Sequence, residues 1–315
     1  MSFPPTDRRA LPTGAVVDRW QAPDGYELRR FDWPAPAGAR PRGSILFQGG
    51  RGDIFEKYLE TFAHWHQLGW RVTSFDWRGQ GGSGRLTDRP HVGHIDSFDH
   101  FIADIAAFWS EWAGSTPGPR VAMAHSMGGH LLLRALAEHV VTPDAAVLIA
   151  PMLGLNAPLG PGFGELLARV MGGIGDSARA AWKVNEKPYT TTSRQNLLTH
   201  DADRYADEIW WQQHDPSLNT GPPSWHWVSE AFASTLHLRE SPALATVDVP
   251  VLMLVAEADK LVDPKAAVAT AAKLPDVRLV RFGGESAHEI LREADRVRDR
   301  ALAEIDQFLA ARAPQ

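Results

Sequence analysis

The chain has no cysteine among its 315 residues. That excludes disulfides, thiolate nucleophiles, iron–sulfur clusters and Cys-based zinc sites together. It leaves the redox compartment undefined, since a chain without thiols is indifferent to it. Basic charge is also short: 32 Lys and Arg stand against 38 Asp and Glu, a net charge of −6. A nucleic-acid binder would carry a basic patch, so that class is set aside. Long apolar runs are missing as well. The longest, Ala145 to Leu155, falls far short of the roughly 20 residues that span a bilayer. The N-terminal stretch carries charge but no apolar segment of the kind a signal peptide needs. The expectation is a soluble cytoplasmic protein without a transmembrane segment. Peripheral membrane contact and oligomeric state stay open.

What is present is ordinary in bulk, with 44% hydrophobic and 22% charged residues. Such a chain forms a globular core, as one large α/β domain or two smaller ones. Tryptophan is abundant, at 12 residues. Short β-rich runs alternate with amphipathic stretches. Val16–Trp20 and Tyr26–Trp33 flank the turn Pro23-Asp24-Gly25 and read as a hairpin. Strands are expected at Ser44–Phe47, Arg71–Phe75, Arg120–Ala124, Ala145–Ala150, Val251–Val255 and Val277–Phe282. Those at 145–150 and 251–255 contain no polar residue, as parallel strands covered on both faces require. Helices are expected at Glu56–Leu68, from an N-cap at Ser97 to Trp112, at Met127–His139 and at Glu289–Ala311. Strands alternating with helices predict a doubly wound, mostly parallel α/β sheet. Residues 151–243 break the rhythm with Gly- and Pro-rich joints and no convincing buried strand. So long an insertion is not a plain loop. It reads as a helical cap on a core formed by 1–150 and 244–315.

The segment Ala124-His125-Ser126-Met127-Gly128 joins a strand to a helix. A serine on that turn projects its hydroxyl above the sheet, and small residues two positions away allow close packing. A helix cap is the structural alternative for Ser126. A serine nucleophile needs a base, and the base needs an orienting acid. Asp259 follows the strand Val251–Val255, and His288 follows the strand Val277–Phe282. Asp259 is the first choice of acid, Asp263 the second and Glu257 the third. Asp263-Pro264 also reads as a helix N-cap with proline at N1. An oxyanion needs two donors. The backbone N–H of Met127 supplies one. The N–H of Gly50 is the choice for the other, with Arg51 as runner-up.

Four motifs in this order resemble the α/β-hydrolase fold superfamily. More narrowly they are similar to the lysophospholipase and monoacylglycerol lipase group of serine hydrolases. They are Asp76-Trp77-Arg78-Gly79-Gln80-Gly81-Gly82-Ser83, Ala124-His125-Ser126-Met127-Gly128-Gly129, Asp259–Pro264 and Ala287–Leu291. The resemblance covers nearly the whole chain from about Val16. It implies a triad of Ser126, Asp259 and His288 beneath a cap. Three positions depart from the family pattern: Gln48 and Gln80 replace histidines, and Ala124 replaces the first glycine of the elbow.

Other candidates are weaker. His91, His94, Asp96, Asp99 and His100 match no metal-ligand spacing. His64 and His66 fit packing or surface positions, and the loop Gly79–Gly84 lacks the ending of a phosphate cradle. Trp182, Trp210, Trp211, Trp225 and Trp227 lie in the expected cap. They either pack it on the core or form an apolar wall for an acyl chain. Arg169, Arg179, Lys183, Lys187, Arg194 and Arg204 either meet a substrate phosphate or, as is expected of most of them, are solvated. The sequence thus predicts a carboxylic-ester hydrolase working through an acyl-enzyme on a small, apolar or lipid-like ester. No cofactor or metal is expected. A lactone, amide or C–C hydrolase with the same triad is the alternative, as is a ligand-binding protein on the same scaffold.

Overall fold

A computed structural model describes residues 6–314 apart from 39, 90, 157–165, 167–168, 174 and 182–191. Eight strands form one sheet in the order β1-β2-β4-β3-β5-β6-β7-β8. The hairpin β1 (Val16–Gln21) and β2 (Glu27–Trp33) is antiparallel, and β2 runs antiparallel to β4 (Trp70–Phe75). From β4 onward the sheet is parallel, through β3 (Gly43–Gln48), β5 (Arg120–His125), β6 (Ala145–Ile149), β7 (Val251–Ala256) and β8 (Val277–Phe282). The doubly wound architecture expected from the sequence is therefore present.

The central strands are apolar because both faces are covered. In β7, Val251, Met253 and Val255 enter one core, while Leu252, Leu254 and Ala256 enter the other. This is the period of two that a pleated strand imposes. Helices α2 (Asp99–Ser115) and α3 (Ser126–Ala137) supply the first core with residues such as Phe101, Ile105, Leu131 and Leu132. Helix α1 (Leu59–Gln67) supplies the second with Phe62 and Trp65. β8 lies at the sheet edge, and Arg281 is exposed there. A charged edge resists pairing with another chain.

Three boundaries differ from expectation. The helix expected from Glu56 begins as a 3-10 turn, Phe55–Tyr58, before α1. Helix α2 starts at Asp99, and the Ser97 hydroxyl accepts the Asp99 N–H just ahead of it. The last helix starts at Asp295, not at Glu289. Ile290–Arg292 forms a separate 3-10 turn. The Glu289 and Glu293 side chains are buried there, drawn inward by Lys57 and Arg292 in one case and by His200 in the other. That removes the amphipathic pattern at those positions.

Between β6 and β7 the described residues form helices α4 (Thr192–Leu198), α5 (Ala202–His214) and α6 (Trp225–Glu240) and no strand. Asp201 caps α5 and Ser224 caps α6, each accepting the N–H three residues on. Helix α7 (Pro264–Ala271) and the terminal α8 (Asp295–Arg312) complete the layers. Among the described residues, no helix is long and apolar enough to cross a membrane.

Candidate active site

β5 ends at His125, and Ser126 opens α3 at the C-terminal edge of the parallel sheet. Ser126 has φ +52°. For a residue with a side chain this left-handed conformation costs about 1–3 kcal/mol and persists only where its surroundings impose it. Close packing imposes it here. A Cβ on Gly128 would lie 2.4 Å from the Gly49 carbonyl oxygen, and one on Gly129 would lie 2.9 Å from Pro151 Cβ. Ala124 sits inside β5, paired with Gln48 and Leu148 and wholly buried, so its methyl is accommodated.

Three side chains from three loops meet at this turn. His288 Nε2 is 2.9 Å from Ser126 Oγ, and His288 Nδ1 is 2.5 Å from Asp259 Oδ2. The other Asp259 oxygen accepts the Leu261 and Val262 N–H groups at 2.8 and 3.1 Å. Both carboxylate oxygens are thereby fixed, and the carboxylate fixes the imidazole. The other two acids lie elsewhere. Asp263 caps α7 through the Lys265 N–H, and Glu257 pairs with Arg281 near the surface. All three members of the relay are buried. Burial disfavours the His288 cation, but the Asp259 carboxylate outweighs it, and Glu289 and Asp53 add to it. The His288 pKa is raised above the ordinary imidazole value. Burial likewise raises Asp259, but the His288 charge and the hydrogen bonds overcome it and hold the carboxyl below its ordinary range.

Met127 occupies the first turn of α3, where N–H groups lack intrahelical acceptors. Gly50 lies against the turn: a Cβ on it would come within 2.8 Å of Ser126 Cβ. Its N–H, however, donates to Asp53 Oδ2 at 2.6 Å. An N–H carries one proton, so in this conformation the Gly50 donor is engaged by a carboxylate. This corrects the expectation of an open donor at Gly50. Arg51, the runner-up, directs its guanidinium to the Gly221 carbonyl and over the Trp227 ring.

The two glutamines differ. Gln80 Oε1 accepts the Gly52 N–H at 2.5 Å, and its Nε2 lies 3.8 Å from Met127 Sδ. It bridges the Gly50 loop and the residue after Ser126. Gln48 is buried with neither side-chain polar atom partnered among the described residues.

Behind the relay lies a buried charged cluster that the sequence reading missed. Asp53 Oδ2 also accepts the Tyr58 hydroxyl at 2.7 Å and lies 3.0 Å from His125 Nδ1. Lys57 Nζ reaches Asp53 at 2.5 Å, Glu289 at 2.6 Å and Glu208 at 3.2 Å. Arg292 joins Glu208 and Glu289. The one sequence signal was the Asp53–Lys57 spacing of four. The partners Glu208, Glu289 and Arg292 are remote in sequence.

Three of the tryptophans beyond β6, Trp210, Trp211 and Trp227, are engaged in packing. Trp211 and Trp227 are buried, one in each core. Trp211 donates to the Arg8 carbonyl, and Trp210 stacks on His214. Trp225 is half-buried at the start of α6. Trp182, Lys183 and Lys187 lie outside the described residues. Arg204, expected to be solvated, is buried instead. It binds Glu60, Asp201, Asp295 and the Glu293 carbonyl. His64 pairs with Asp306, His66 stacks on Trp33, and His94 bonds to Ser224.

Residues 39–295 match the model of a family described as serine aminopeptidase, S33. The chain is 33% identical to lysophospholipase L2 of Escherichia coli (strain K12) over 322 residues, covering 95% of this chain and 91% of that one. It superposes on a soluble variant of monoglyceride lipase from Saccharomyces cerevisiae with a TM-score of 0.74, at 18% identity, covering 98% of this chain and 99% of that one. A monoacylglycerol lipase from Paleococcus ferrophilus gives a TM-score of 0.67 at 21% identity, covering 90% and 99%. At these identities the two structures speak for the fold. The family match, spanning most of the sequence, speaks for descent: this chain belongs to the serine aminopeptidase, S33 family of α/β-hydrolases.

Proposed function

We propose that the chain is a serine hydrolase that cleaves carboxylic esters of apolar, lipid-like substrates, of the lysophospholipid or monoacylglycerol type, through an acyl-enzyme. The observation that carries this reading is the unbroken relay from Ser126 Oγ through His288 to Asp259. The name of the E. coli relative supports the lipid substrate. His288 accepts the Ser126 proton as Oγ attacks the ester carbonyl, and Asp259 stabilises the imidazolium that forms. The tetrahedral oxyanion is held by the Met127 N–H together with a donor from the loop Gly49–Gly52. His288 returns its proton to the leaving alcohol. Water deprotonated by His288 then releases the acid. Residues 151–243 serve as a helical cap over this centre. The packing of Trp210, Trp211 and Trp227 supports a structural part for these rings within it.

A series of p-nitrophenyl esters of increasing chain length, run beside a monoacylglycerol and a lysophospholipid, tests the reading. Long-chain esters and at least one of the two lipids should be preferred. A clear preference for acetate or butyrate would reduce the protein to a general esterase. Ser126→Ala should abolish turnover, and retained activity would overturn the mechanism.

A further inference from the structure

Helix α5 lies outside the sheet that carries the relay, yet one of its side chains enters the buried charged cluster behind it. Glu208 is almost wholly buried. Its Oε2 lies 3.2 Å from Lys57 Nζ and 3.1 Å from an Arg292 nitrogen. Gln212 Nε2 donates to its Oε1 at 3.3 Å. Lys57 passes the contact on in two directions. Towards the Gly50 loop it binds Asp53, whose other oxygen holds the Gly50 N–H at 2.6 Å and lies 3.0 Å from His125, the residue before Ser126. Towards the base it binds Glu289, the residue after His288, at 2.6 Å. His125 Nε2 in turn lies 3.4 Å from the His288 carbonyl oxygen.

We propose that Glu208 is a positioning residue for the hydrolytic reaction, acting through Lys57 on Asp53 and the Gly50 loop and through Lys57 on the loop that carries His288. The inference rests on the serine-hydrolase reading. The physical argument is charge balance in a dry place. Three carboxylates (Asp53, Glu208, Glu289) surround two cations (Lys57, Arg292), all five buried, and Arg194 lies 3.8 Å from the Glu208 Oε1 at the edge of the cluster. A buried cation settles where its partners balance. With Glu208 present, Lys57 is shared three ways. Without that charge it moves towards Asp53 and Glu289. The carboxylate that holds the Gly50 N–H then shifts, although no residue touching substrate has changed. Displacements of under 1 Å at an oxyanion donor or a base lower turnover without weakening substrate binding.

The test uses the full chain and a short soluble ester, p-nitrophenyl butyrate. Glu208→Gln keeps the shape and removes the charge. Its kcat should fall about tenfold with KM nearly unchanged. Glu208→Asp retains the charge but retracts it by one methylene, and kcat should fall about threefold. Asp53→Asn should lower kcat as well, and the double variant Asp53→Asn, Glu208→Gln should lose less than the product of the two single losses, because the two share the Lys57–Asp53 arm. Asp207→Asn, on the same helix but paired with Arg8 and Arg9, should leave kcat unchanged. That outcome separates a charge route from a general loosening of α5. Wild-type kcat in a folded Glu208→Gln variant overturns the proposal, as does additivity with Asp53→Asn. Should Glu208→Gln fail to fold, wild-type kcat in Glu208→Asp overturns it. Absence of Ser126-dependent turnover in the wild type overturns the hydrolase reading and this inference together. Wild-type turnover with an unaffected Glu208→Gln overturns this inference alone.

Discussion

Ser126 holds a backbone conformation that its neighbours impose, and His288 holds a proton affinity that its neighbours raise. The second fact has a measurable sign. His288 must be neutral to accept the Ser126 proton, so activity is lost as pH falls through its pKa. Because that pKa is raised, the acid limb of kcat/KM should lie above the ordinary imidazole value. Asp259→Asn removes the main influence raising it. The limb should move to lower pH, and kcat should fall about 10³–10⁴-fold, since the imidazole also loses its orienting partner. An unmoved limb would argue that Asp259 does not set the base. Gln48 gives a prediction of opposite character. Its amide is buried without partners among the described residues, and an unsatisfied buried polar group costs about 1–3 kcal/mol. Gln48→Met should therefore leave the melting temperature unchanged or raise it. A marked drop would show that the amide is satisfied after all.

At the level of elements, what was legible followed from periodicity and chain order. The parallel strands were readable because burial on both faces leaves no polar residue in β6 or β7. Asp259 and His288 were readable because each follows a strand, in the order the chemistry needs. Glu208, Glu289 and Arg204 were not. Charged residues in a sequence suggest a solvated face, and only the folded chain shows that remote charges neutralise them inside. For the same reason Gly50 looked like an open donor, since nothing in its sequence reveals that Asp53 folds back on it. Arg204 fastens α5 to the core by ion pairs to Glu60 on α1 and Asp295 on α8. Both acids keep some solvent contact, which tempers the loss. Arg204→Met should cost about 1–3 kcal/mol, read as a lower urea midpoint.

For the whole molecule, the missing cysteine has a practical consequence. The proposed chemistry runs on a hydroxyl, and no disulfide supports the fold. Neither N-ethylmaleimide nor dithiothreitol should change turnover or melting temperature. Inhibition by the maleimide would point to a critical lysine or histidine near the surface. The sheet has a further property that concerns how such a chain can be altered. β6 and β7 are hydrogen-bonded neighbours, although about a hundred residues separate them. Closing so long a loop is only slightly harder than closing one half its length, by about 0.6 kcal/mol. The length of the segment between them therefore adds little to the entropic cost of pairing these strands. A graft of the intervening segment onto a related sheet would therefore have to keep Glu208 beside Lys57, its contact with the charged cluster behind the relay.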